Sequence, residues 1–132
     1  MQTASEFFTL PEPSTSSVSG VHLEFPGGVL RLYFDYDRGG VIYNSGLLFK
    51  NVRAHRYTAD SHCAAWKIEK SYDSLVKITD SKLVEELLES TVEDQRNSWV
   101  LNHYMIYFYS DGCYEIVAES WEVLPENQGS LN

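Results

Sequence analysis

The sequence predicts an α+β domain: a mainly antiparallel sheet of about five to seven strands with one main amphipathic helix packed on it. Three observations carry this expectation. Apolar residues alternate with period two in several short runs, glycine-bearing turn signals separate those runs, and only one stretch shows a helical apolar stripe. At 132 residues the chain suits one domain, large enough to bury a core without a disulfide or a metal. Aromatic content of 14% suits both strands and interfaces, because Tyr and Trp join apolar area to a polar handle.

The elements follow in order. Residues 1–20 are expected to be a flexible N-terminal segment, because Pro11 to Gly20 is rich in Pro, Ser, Thr and Gly. The alternative is that Phe7 and Phe8 dock on the body. The body is expected over 21–125, with 126–132 as a tail. Val21 to Phe25 reads as a short strand closed by Pro26-Gly27-Gly28. Val29 to Tyr36 places Leu30, Leu32 and Phe34 on one face. Asp37-Arg38-Gly39-Gly40 is a hairpin signal, and Val41 to Phe49 supplies a strand or two with a bulge or turn at Asn44-Ser45-Gly46. Val52 to Tyr57 and Leu75 to Ile78 are further strands, and Asp60 to Lys70 fits either a short helix or an extended segment. Asp80 or Ser81 caps the main helix, expected over 81–94, where Leu83, Val84, Leu87, Leu88 and Val92 form one stripe. Trp99 to Tyr109 and Cys113 to Leu124 form a closing hairpin. A two-residue turn at Asp111-Gly112 pairs Ile106 with Val117, Tyr104 with Glu119 and Phe108 with Glu115. Both faces of that hairpin carry large apolar groups, so both need covering.

Nineteen acidic residues against ten Lys and Arg give a net charge of -9. Such a surface disfavours nucleic acid and anionic membranes, which need basic clusters, and favours a basic protein partner. No basic-then-apolar leader and no run long enough to span a membrane is visible, so a reducing, cytoplasmic location with Cys63 and Cys113 free is expected.

No chemical motif stands out. The four His and two Cys lack zinc spacing, and neither glycine-rich turn leads into a helix as a phosphate loop does, so no metal and no cofactor are expected. Cys63 beside His62 is no thiol–base pair, because neighbours in an extended chain point apart. Glu115 and Glu119 share a strand face at a backbone separation of about 13 Å, too far for a glycosidase pair but suited to an acidic rim beside Trp121. Arg31, Arg53 and Arg56 are expected to pair with carboxylates.

Tyr72 to Ile78, Asp80-Ser81, His103 to Tyr107 and Gly112 to Trp121 resemble small uncharacterised bacterial proteins. In type rather than motif, a short acidic chain with a Tyr-rich sheet and one helix is similar to the immunity proteins of bacterial toxin–immunity systems. That resemblance implies a non-enzymatic inhibitor that covers the active site of a basic, nuclease-like toxin. It carries over no particular residue. The expected contact set, read from the charge pattern, is Glu85, Glu86, Glu89, Glu93, Asp94, Glu115, Glu119 and Trp121. The alternative is a small-ligand or enzymatic domain with a pocket among Tyr33, His55, Tyr57, His103 and Tyr107. A third reading, a homo-oligomer, has the two-faced terminal hairpin pairing with itself.

Overall fold

The alternating runs form strands, but in two sheets rather than one. The structure is a computed structural model that describes residues 3–132, with the side chains of Thr3, Asp94, Arg96 and Asn97 outside the described set. Nine strands lie among the described residues, all paired antiparallel. They are β1 (Thr3–Thr9), β2 (His22–Glu24), β3 (Val29–Arg38), β4 (Val41–Lys50), β5 (Ala54–Ala59), β6 (Ser74–Thr79), β7 (Asn102–Phe108), β8 (Gly112–Ala118) and β9 (Ser120–Gln128). One sheet runs β1-β6-β7-β8-β5 and the other β2-β3-β4-β9. Two α-helices, α1 (Ala65–Ser71) and α2 (Lys82–Glu89), lie in connections between strands of the five-stranded sheet. The α+β, mainly antiparallel expectation therefore holds coarsely, while the one-sheet, one-helix version gives way to two packed sheets and two helices.

The main core lies between the sheets. Leu30, Leu32, Phe34 and Tyr36 of β3 and Leu47 and Phe49 of β4 meet Tyr104, Ile106 and Phe108 of β7 and Tyr114, Ile116 and Ala118 of β8. The Asp37–Gly40 signal works as read: Arg38 pairs with Val41 across Gly39 and Gly40, both at positive φ. A smaller cluster of Val76, Ile78, Met105, Tyr107 and Cys113 covers the outer face of the five-stranded sheet, packed by Cys63 and by Ile68 of α1. The closing hairpin is thus buried on both faces, as its composition required.

Its register differs from the expected one. The loop is longer, with Ser110 at φ 61 and Phe108 opposite Gly112. Tyr104 now faces Ile116, Met105 faces Glu115 and Ile106 faces Tyr114. An odd shift exchanges the two faces of one strand relative to its neighbour. Glu115 therefore leaves the expected solvent rim and joins His103 and Met105 on the helix-covered face. The hairpin is also flanked by β6 and β5, so both of its strand edges are paired within the chain.

The ends are tied down. β1 pairs with β6, Phe7 stacks on Trp121 of β9 at 6.2 Å, and Phe8 packs against the main core. Asp35 is buried on the other sheet and accepts hydrogen bonds from the Val18, Ser19 and Leu131 N–H groups at 2.8, 3.0 and 3.3 Å. The segment expected to be loose is therefore a sheet strand and a strap, and β9 extends into the expected tail.

The main helix ends at Glu89 instead of reaching residue 94. The Ser90 and Thr91 hydroxyls donate to the Glu86 and Leu87 carbonyls, competing for acceptors that a continuing helix would need. A 3-10 segment, Glu93–Ser98, follows.

Gly112 is a test of the register. A Cβ there would lie 2.3 Å from the Thr58 carbonyl oxygen of β5. Gly112→Ala is expected to cost about 1–3 kcal/mol or more, because a strand must shift to admit it. Urea unfolding followed by fluorescence measures the loss.

Candidate functional site

The outer face of the five-stranded sheet carries both acidic and buried polar features. Ser81 ends the loop after β6 and caps α2, its Oγ accepting from the Val84 N–H at 3.1 Å. The same Oγ lies 2.7 Å from His103 Nδ1, and His103 Nε2 lies 3.0 Å from Glu115 Oε1. With a neutral ring, Ser81 donates to Nδ1 and Nε2–H donates to Glu115, which satisfies all three groups. Glu115 also accepts from Lys67 Nζ at 3.1 Å and from Arg56 Nε and Nη2 at 3.1 and 3.0 Å. Burial alone would raise the Glu115 carboxyl, but the His103 and Lys67 hydrogen bonds and the Lys67 and Arg56 charges outweigh it and hold it at about 2.

Chemically this is a filled network. Ser, His and Glu in line suggest a hydrolytic triad, yet Ser81, His103 and Glu115 are all buried, and the Ser81 Oγ also accepts the capping bond from Val84. Cys113 offers no nucleophile either: burial, then the Glu115 charge, push its thiol up to about 12. What the network does is fix α2. No residue of that helix is fully buried, so its cap and the His103 bond hold a lightly packed element. Ser81→Ala is expected to cost about 1–2 kcal/mol and to speed hydrogen exchange selectively in residues 82–89.

The expected contact set divides. Glu85, Glu86 and Glu89 are exposed on α2, and Glu93 is exposed just beyond it. Among the described residues, Glu85, Glu86 and Glu93 form no ion pair. The Asp94 side chain lies outside the described set. Glu115 is interior, 1% exposed, because of the register change. Glu119 sits at the corner between β8 and β9, bonded to Asn51, and Trp121 closes the sandwich against Phe7 and Phe8. Neither belongs to the α2 surface.

The expected Tyr/His pocket is not assembled. Tyr33 lies on the outer face of the four-stranded sheet, opposite His22 and Gly46. His55 packs edge-on against Phe25 at 4.9 Å, and Tyr57 donates to the Asp111 carbonyl at 2.8 Å. Tyr107 donates to Asp60, and only His103 enters the buried network. The three arginines also separate: Arg53 stacks on Trp99 at 3.7 Å, Arg56 pairs with Glu115, and Arg31 belongs to the other sheet.

Lys67 and Lys82 were absent from every sequence-level candidate set. Glu115, expected at a partner contact, lies in the interior, and its strand carries a signal for that. A carboxylate inside the apolar run Cys113 to Ala118 has no solvated face and must find cations or donors.

Comparisons with protein-family models, with curated proteins and with solved structures find no match to this chain. Among the described residues, no helix is long and apolar enough to cross a membrane.

Proposed function

We propose that this chain is a non-enzymatic binding domain that presents α2 to a basic protein, in the manner of an immunity protein covering the active site of a nuclease-like toxin. The observation that carries the reading is the row of exposed glutamates on α2 and the following turn, of which Glu85, Glu86 and Glu93 have no ion pair among the described residues. A carboxylate neutralised within its own chain has little to offer a partner, whereas these charges remain available. The net charge of -9 extends the attraction beyond contact and accelerates encounter with a basic surface. The network beneath α2 fixes the presenting helix, which limits the ordering cost on association.

The test is capture from a lysate of the native host by the wild type and by the triple variant Glu85→Lys/Glu86→Lys/Glu93→Lys. The expected result is a basic protein held at low salt, released by rising salt and not retained by the variant. Equal retention by both baits, or none by either, overturns the reading.

A further inference from the structure

A cavity of about 130 Å³ opens between α1 and α2, above the Glu115 network. Its lining includes Arg56, Lys67 and Lys82, three of the ten Lys and Arg of a strongly acidic chain. We infer that this cavity is a binding site for a small-molecule oxyanion, a carboxylate or phosphate group, held by the convergent Arg56, Lys67 and Lys82 side chains. The inference does not rest on the protein-binding role of the α2 glutamates.

Glu115 is the reason the cations are placed and yet not exhausted. Its two oxygens already receive Arg56, Lys67 and His103, so it acts as an internal counter-ion beneath the cavity. Among the described residues, Arg56 uses Nε and Nη2 on Glu115 and makes no hydrogen bond through Nη1, and Lys67 makes one hydrogen bond through its ammonium group, which carries three donors. Lys82 has no ion pair among the described residues. The charge of Glu115 offsets one of the three cations, and Glu86 is the other acid in the lining. Three cations against two acids leave the lining net positive. A bound oxyanion receives donors already oriented by a buried anchor, the arrangement that makes charge-assisted hydrogen bonds effective. Trp66 and Leu83 add apolar walls, so the anionic group can carry a short carbon skeleton. The volume holds several water molecules, enough for such a ligand and too little for a nucleotide. The overall negative charge repels anions at long range, so retention depends on these short contacts.

The experiment is an NMR titration of the intact chain with inorganic phosphate and, separately, with acetate, at constant ionic strength. The expected result is saturable shifts in the millimolar range, confined to the amides of residues 56, 66, 67, 82, 83 and 103 and the Trp66 indole. Lys82→Gln, at an exposed position, should weaken binding about tenfold, the value of one charge-assisted contact. Lys70→Gln removes the same charge from α1 outside the cavity and should leave binding unchanged. Saturation by phosphate alone identifies a phosphate-bearing ligand, and by acetate alone a carboxylate. Saturation by neither, shifts scattered over the surface, or equal weakening by both variants overturns the inference.

Discussion

Replacing Glu115 with glutamine should lower the unfolding free energy by about 3 kcal/mol, a drop in Tm of roughly 10 °C. The side chain is 1% exposed and receives donors from three elements: Arg56 of β5, Lys67 of α1 and His103 of β7. Glutamine keeps the shape but removes the charge, leaving Arg56 and Lys67 to repel each other and one amide N–H₂ facing donors. The pH dependence gives an independent check. The folded carboxyl sits at about 2, against 4.5 for the free group. A depressed folded value means the contribution is fully present above 4.5 and is lost as pH falls from there towards 2; the gap corresponds to about 3 kcal/mol. The wild type and Glu115→Gln should therefore differ most near neutrality and converge in acid. Chemical denaturation at pH 7 and pH 3 reads both numbers, and a pH-independent difference would show that the carboxylate is not ionised in the fold.

The second large effect falls on association. Reversing Glu85, Glu86 and Glu93 together should slow association with the captured basic partner by about 10- to 1000-fold at low salt, the range over which steering acts. Dissociation should change less, because rim charges act chiefly on the on-rate. The thermal stability of the variant should stay near that of the wild type, since these side chains are exposed and form no ion pair among the described residues. Surface plasmon resonance at two salt concentrations separates the rates. An unchanged on-rate would place the contact elsewhere on the molecule.

How much of this was legible depended on whether the information was local. The β3–β4 hairpin was readable because Gly39 and Gly40 supply the turn and the flanking alternation supplies the faces. The start of α2 was readable from Ser81, but its end was not, because Ser90 and Thr91 act through hydroxyl bonds that composition alone does not announce. The β7–β8 register turned on loop length, and a small change there carried Glu115 from an imagined rim to the interior. The division into two sheets was invisible because β4 pairs with β9 and β1 with β6, contacts between distant segments that no local pattern encodes. The network suffered the same way. Arg56, Lys67, Ser81, His103 and Glu115 come from five separate elements, and only the assembled sheet brings them together.

The same pairing has a consequence for biogenesis. A growing chain can close β2, β3 and β4 into a meander early, but Lys50 then waits for Ser120 before β4 gains its outer neighbour, and β5 waits for β8. Until those late strands emerge from the ribosome, the apolar row of Leu30, Leu32, Phe34, Leu47 and Phe49 has no opposing layer. Such contacts of high sequence separation slow folding and expose sticky intermediates. Nascent chains arrested short of β7 should therefore depend on holding chaperones, and protease resistance should appear only once synthesis has passed β9.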